Sequence, residues 1–109
     1  MYKYKKTDEQ TLRNMFEIAL LSENYLKSKR IICEYEDCII NLSSDRLEMH
    51  RKIVHHIEYA AESLNDKERL IIENEVLRGR KGKWFKGFMS APSYYRHRQS
   101  AYENFLHCL

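Results

Sequence analysis

Apolar residues recur at intervals of three and four along most of the chain, the spacing that places them on one face of an α-helix. The first predicted helix runs from about Asp8 to Lys29, with Thr7 as its N-terminal cap. A shorter apolar segment, Ile31 to Ile40, has β-branched residues compatible with helix or strand and a spacing that favours a helix. We expect the buried stripe of the first helix to contain Leu12, Met15, Phe16, Ala19, Leu20 and Leu26.

The clearest periodicity lies in the middle of the chain. After a break at residues 41–44, with Ser44 as the predicted cap, a helix is predicted from Asp45 to about Ser63. No two of its three histidines lie four residues apart, so they do not match a two-histidine zinc helix and are expected at the surface or half-buried: His50, His55 and His56. Its predicted buried face consists of Leu47, Val54, Ile57, Ala61 and Leu64.

Helix-end signals divide the C-terminal third into three further elements. Asn65 and Glu68 form a capping box, in which the cap accepts a backbone amide and the glutamate reaches back to the cap. This helix is expected to end near Gly79, and a short apolar helix from about residue 83 to 89 follows a basic loop. Ser90 is the predicted cap of the last helix, with Pro92 in its first turn. The residues predicted to point inward from that helix are Tyr94, Ala101, Phe105 and Leu106.

These elements predict an all-α protein, a small bundle of about five helices with a C-terminal helix-turn-helix. Residues 1–64 would supply helices for packing or dimerisation and residues 65–109 the helix-turn-helix, together forming one compact domain. Three glycines and one proline in 109 residues disfavour a fold of many strands and tight turns. The cysteines, odd in number and without a Cys-x-x-Cys spacing, predict reduced, buried thiols rather than disulfides or a zinc site.

The positive charge of the chain is concentrated in one stretch. The net charge is +3, yet residues 76–102 hold seven lysines and arginines and no acid. The other 82 residues carry 12 cations against 16 acids, a net charge of −4. A cationic face beside an acidic remainder is typical of a protein that docks on a polyanion, although a solvated cationic surface would give the same numbers.

A capped support helix, a short helix, a turn and a further helix is the layout of a helix-turn-helix, whose last helix presents its N-terminal outer face to the major groove. Loop cations would contact phosphates, while arginine and glutamine side chains read guanine and adenine edges. The last helices of an ordinary bundle remain the alternative explanation. The candidate DNA-binding residues are therefore Arg78, Arg80, Lys81, Lys83, Lys86, Ser93, Tyr95, Arg96 and Gln99.

Part of this stretch resembles known transcription proteins. The Leu-x-x-x-Glu-Arg sequence at residues 64–69, followed by Ser90, Tyr94, Ala101 and Phe105, resembles the pattern of sigma factor region four. The run at residues 93–96, Ser-Tyr-Tyr-Arg, is similar to the signature that opens the recognition helix of ArpU and RinA type phage transcriptional regulators. The ending also resembles that of small uncharacterised mollicute proteins. The resemblance covers about 45 residues and implies transcriptional regulation through double-stranded DNA.

We therefore expect a sequence-specific DNA-binding regulator that is not an enzyme and uses no metal or cofactor. Double-stranded DNA is the expected partner, and a homodimer through the long first helix and RNA polymerase are further candidates. No stretch approaches the roughly 20 apolar residues of a membrane span and no secretory signal is visible, so a cytoplasmic location is expected. The alternative is a helical interaction module that contacts RNA polymerase or a phage protein without binding DNA. This alternative requires the rings of Trp84, Phe85 and Phe88 to be exposed. We expect those rings to lie mostly in the core instead.

Overall fold

The computed structural model describes residues 4–109, with side chains from Glu9 onward. It contains four α-helices: α1 (Tyr4–Glu36), α2 (Ser44–Glu62), α3 (Asp66–Ile72) and α4 (Ala91–Cys108). A π-helical turn (Glu73–Leu77) extends α3, and a 3₁₀ turn (Trp84–Gly87) precedes α4. The described residues include no strand, which confirms the all-α prediction. The prediction of about five helices is wrong, because the two N-terminal predicted helices are one and the predicted short helix is a single 3₁₀ turn.

The end of α1 explains why two predicted helices merge. Nothing between Lys29 and Ile31 interrupts the backbone, so the helix continues to Glu36. It ends where Cys38 adopts a left-handed conformation, with φ of 61°. The amide of Ile39 then donates to the carbonyl of Glu34 at 2.8 Å, which is the hydrogen bond of a Schellman cap. Residues 37–40, predicted as helix, therefore form a turn instead.

The buried face of α1 is not the predicted one. All six residues of the predicted stripe are exposed, and the helix instead buries a mixed stripe: Asn14, Ile18, Ser22, Tyr25 and Ser28. Two members of that stripe donate hydrogen bonds across the interface: Ser22 to the carbonyl of Val76 at 2.9 Å, and Tyr25 to Glu58 at 2.5 Å. Small side chains with hydrogen-bond partners allow close helix packing, so these contacts determined the face that α1 buries.

Helix α2 follows its predicted periodicity. Leu47, Ile57, Ala61 and Leu64 are buried and Val54 is partly buried. The cap is Ser43, one residue before the predicted Ser44, and its hydroxyl accepts from the amide of Arg46 at 3.2 Å. The expectation for the histidines holds for two of the three, since His50 is buried and its Nδ1 lies 2.9 Å from Ser28 Oγ.

The N-terminal cap of α3 is the predicted one, but the glutamate of the capping box has a different partner. Asn65 accepts from the amide of Glu68 at 2.9 Å, as predicted. The Glu68 carboxylate does not reach back to the cap but turns to α4, where it accepts from Ser100 Oγ and from Asn104 Nδ2 at 3.1 Å. At the far end Gly79 is left-handed, with φ of 63°, which confirms its predicted role.

One core joins the two halves of the chain. The largest fully buried side chains are Ile71, Ile72, Val76 and Phe105 of the C-terminal half, and they belong to the same cluster as Ile18 of α1 and Ile57 of α2. α1 packs along α2 and against the π-helical turn, while α3 packs on α4. The N-terminal helices therefore position the basic loop and α4.

Cysteine burial differs from the prediction. Cys33, Cys38 and Cys108 are all free and exposed, so the prediction of buried thiols is wrong. The carboxylate of Asp37, one helical turn away, raises the pKa of the Cys33 thiol, which favours its protonated form. None of the described helices has the length and apolar content needed to cross a bilayer.

Candidate nucleic-acid interface

The N-terminus of α4 begins with a well-formed cap. Ser90 has extended backbone angles and its hydroxyl accepts from the amide of Ser93 at 3.3 Å. Pro92 lies in the first turn, where its missing amide removes no helical hydrogen bond. The side chains of the first two helical residues, Ala91 and Pro92, are exposed. This end of α4 therefore presents the positive end of its dipole to the surroundings.

Aromatic stacking attaches the 3₁₀ turn to α4. The Phe85 and Tyr94 rings are parallel within 7°, with centroids 4.0 Å apart. Trp84 meets the edge of Tyr94 at a centroid distance of 5.9 Å. Phe85 is buried and Trp84 half-buried, as expected of core residues, whereas Phe88 is 56% exposed and contradicts that expectation. The 3₁₀ turn therefore packs through both of its large rings, and the ring of Phe88 that follows it is exposed.

A single carboxylate, Glu75 of the π-helical turn, joins the three elements of the C-terminal half. It accepts from Trp84 Nε1 at 2.9 Å and from the hydroxyls of Tyr94 and Tyr102. Burial raises the pKa of both tyrosines, and the neighbouring Glu75 carboxylate raises it further. Both hydroxyls therefore keep their protons at neutral pH and act as donors, so Glu75 determines how α4 lies against the support helix.

Arg98 occupies the aromatic side of α4. Its guanidinium carbon lies 5.1 Å from the ring centroid of Tyr95 and 5.9 Å from those of Tyr94 and Tyr102. These are cation–π distances, and they place the half-buried Arg98 against the exposed ring of Tyr95.

The predicted site residues fall into two groups. Seven are exposed, namely Arg78, Arg80, Lys81, Lys83, Lys86, Tyr95 and Arg96, and Ser93 and Gln99 are half-buried. Among the described residues, the ion pairs within 4.0 Å involve none of the six cations in this set. Their charge is therefore available to an anionic partner.

A cleft of about 520 Å³ shows which of these residues lie together. Arg80 and Lys81 line one side of it, and Tyr95 and Arg98 of α4 line the other. Glu23 of α1 and Glu75 of the π-helical turn are acids at the same cleft, so the cationic surface has two negative neighbours. The remaining predicted residues lie outside the cleft lining.

Two residues of this region were missed from the sequence, and both carry a recognisable signal. Glu75 occurs seven residues after Glu68 and four after Ile71, which is a core-facing register for an acid. Arg98 is four residues from Tyr94 and Tyr102 and three from Tyr95, the spacing at which side chains meet on a helix. A charged residue in such a position indicates a partnered group.

Comparison of the chain with protein-family models, curated proteins and solved structures yields no match. The described residues also contain no group of three or more histidine, cysteine or acidic side chains placed to hold a metal ion. The function of the protein is therefore inferred from the chemistry of the surface formed by the basic loop and α4.

Proposed function

We propose that this protein binds double-stranded DNA through the basic loop and the N-terminal half of α4. The single observation that carries the proposal is the set of exposed cations, Arg78, Arg80, Lys81, Lys83, Lys86 and Arg96, which have no carboxylate partner among the described residues. Unpaired cations on one stretch of surface attract a polyphosphate, since each phosphate contact releases condensed counterions.

The proposed division of roles follows the position of each side chain. Arg80 and Lys81 lie on the loop beside α4 and contact phosphates, which the positive end of the α4 dipole also attracts. Arg96 and Gln99 follow on α4 and face bases, because their side chains match the edges of guanine and adenine. The resemblance to sigma region four and to ArpU and RinA type regulators supports the same assignment and adds transcriptional regulation as the proposed outcome.

Fluorescence anisotropy of a labelled duplex of random sequence, titrated at two salt concentrations, tests this proposal. We expect the logarithm of the affinity to fall steeply with the logarithm of salt, by roughly 0.9 for each phosphate contact. Replacing Lys81 with glutamine lowers the affinity and reduces that slope by about one. The matched control is Lys52→Gln, which removes the same charge from the exposed surface of α2 and leaves the binding unchanged.

Absence of binding at low salt overturns the proposal. Equal effects of Lys81→Gln and Lys52→Gln would also contradict it, since the binding would then reflect net charge rather than this surface.

One observation favours a second candidate, a contact with another protein such as RNA polymerase. The Phe88 ring is 56% exposed at the 3₁₀ turn, and exposed aromatic side chains are frequent anchors of protein interfaces. Immobilised RNA polymerase, titrated with the wild-type protein and with Phe88→Ala, tests it. Binding that Phe88→Ala weakens at least about tenfold supports the contact, and equal binding by both proteins contradicts it.

A further inference from the structure

The side of α1 that faces away from the core is apolar over its middle turns. Leu12 is 63% exposed, Phe16 is 65% exposed and Leu20 is 43% exposed, and Ala19 lies exposed beside them. These four residues are three or four positions apart in sequence or adjacent, so they share one side of the helix, which we call the apolar face of α1. A contiguous exposed apolar stripe on a helix is typical of an interaction surface.

Charged residues border this face, and turning the helix end for end places an acid where a base was and a base where an acid was. Glu9, Arg13, Glu23 and Lys27 are all exposed, and at 3.6 residues per turn they lie within about 60° of Phe16 around the helix axis. Read from the N-terminal end the series is acid, base, acid, base, and read from the C-terminal end it is base, acid, base, acid. Turning the helix end for end about Ile18 therefore brings Glu9 to the position of Lys27 and Arg13 to the position of Glu23.

From this pattern we propose that two copies of the chain pair through the apolar face of α1, antiparallel, about a two-fold axis at Ile18. Phe16 of one copy then lies against Leu20 of the partner subunit, and each Arg13 lies opposite Glu23 of the partner subunit. From Glu9 to Lys27 the helix rises by about 1.5 Å per residue, so the contact is roughly 28 Å long.

A second copy fits this surface better than an unrelated partner does. A two-fold interface requires a surface that is complementary to itself, and the alternating charges satisfy that requirement at both ends of the stripe. Exposed ion pairs add little affinity, but they select the register and the antiparallel orientation, while the apolar residues supply the attraction. The inference does not require the proposed DNA binding, although Glu23 also lines the cleft that contains Arg80 and Lys81. A dimer would present two copies of α4 to one duplex.

Sedimentation equilibrium of the full chain over a range of concentrations tests the pairing. We expect the average mass to rise from 13.2 kDa to twice that value. Phe16→Glu weakens the association at least about tenfold, because it buries an unpaired charge opposite Leu20 of the partner subunit. Its matched control is Tyr59→Glu, at a ring that is 68% exposed on α2, which leaves the association unchanged. Circular dichroism of both variants verifies that the fold is retained.

Charge reversal tests the orientation. Arg13→Glu alone and Glu23→Arg alone each weaken the dimer, since each creates like-charged pairs across the axis. The double variant restores it, and so does mixing the two single variants, which form a heterodimer with every pair complementary. A parallel pairing gives a different pattern, because it places residue 13 against residue 13: each single variant and the double variant then keep the like-charged pairs of the wild-type protein and associate as it does.

Three outcomes overturn the proposal. The first is a monomer at concentrations up to about 200 µM, where even an interface of modest affinity associates. The second is equal association by Phe16→Glu and the wild-type protein, which moves the interface elsewhere. The third is a dimer without rescue by the double variant, which excludes the antiparallel register. Because DNA affinity is measured separately by anisotropy, failure of the dimer and failure of DNA binding are distinguishable.

Discussion

Replacing Glu75 with alanine is the perturbation that most directly tests the architecture of the C-terminal half. The carboxylate accepts from Trp84 Nε1 and from the hydroxyls of Tyr94 and Tyr102, which belong to the 3₁₀ turn and to α4. A hydrogen bond to a charged group contributes about 1.5–3 kcal/mol. The loss of stability in the variant should be smaller than the sum of three such bonds, because water enters the partly exposed site and hydrates the donors that lose their acceptor.

We therefore expect Glu75→Ala to lower the free energy of unfolding by about 3–4 kcal/mol. For a domain of this size each kcal/mol corresponds to roughly 4–8 °C, so Tm should fall by more than about 12 °C. Circular dichroism at increasing temperature measures the global transition. Trp84 is the only tryptophan of the chain, so its fluorescence reports separately on the 3₁₀ turn that Glu75 anchors.

The matched control is Glu62→Ala, which removes an exposed glutamate at the end of α2 and should change the stability by less than about 0.5 kcal/mol. A double-mutant cycle of Glu75→Ala with Tyr102→Phe should show a coupling of about 1 kcal/mol, since each variant removes one side of the same bond. If Glu75→Ala is as mild as Glu62→Ala, the carboxylate does not join these elements.

Three further predictions follow from other features of the structure. Arg96→Ala should abolish the preference for particular DNA sequences in anisotropy titrations without changing Tm. Tyr94→Ala should instead unfold the C-terminal third and lower the free energy of unfolding by about 3 kcal/mol. Similar, mild effects of the two variants would mean that the faces of α4 are misassigned. Gly82→Ala should lower the free energy of unfolding in urea by about 1 kcal/mol, because residue 82 has a left-handed backbone. Gly79→Ala should lower it by at least about 2 kcal/mol, because the backbone is also left-handed there and the new Cβ would lie 2.8 Å from a leucine methyl of α1. Equal losses of stability in the two variants would refute the contribution of that close contact. The folded-state pKa of Tyr102 is raised, so its contribution to stability is complete below the unfolded pKa of about 10 and declines as the pH rises above it. A Tyr102→Phe variant should accordingly lose less stability between neutral and alkaline pH than the wild-type protein does.

Helix ends and backbone turns were largely predictable because their causes are local. Asn65 and Ser90 cap their helices and Gly79 is left-handed, as their sequence neighbourhoods indicated. A cap depends on a side chain and an amide three residues away, so no distant contact is needed to specify it. The same holds for α2, whose single apolar stripe left only one face to bury.

The sequence indicated the exposed charged residues of the candidate site but not two other residues of the same region. The exposed cations, with Tyr95 and Arg96, followed from an acid-free stretch and a helix-turn-helix spacing. Glu75, which joins α4 to the π-helical turn, was missed because its partners lie on other elements. Arg98 was missed because its contacts with tyrosines of α4 depend on which face of that helix is inward. Their spacing was visible in the sequence, but a charge in a core register identifies a partnered group without identifying the partner.

The face that α1 buries was decided by the tertiary structure alone. This helix has an apolar stripe at Leu12, Phe16 and Leu20 and a second, mixed stripe at Ile18 and Tyr25, and periodicity favours the first. The folded chain buries the second, because its small and polar side chains meet hydrogen-bond acceptors on α2 and on the π-helical turn. Sequence periodicity indicates that a helix is amphipathic, and it misplaced both ends of α1. Which of two competing faces is covered depends on the shape and hydrogen-bonding groups of the surface it meets, and those exist only once the other helices have packed.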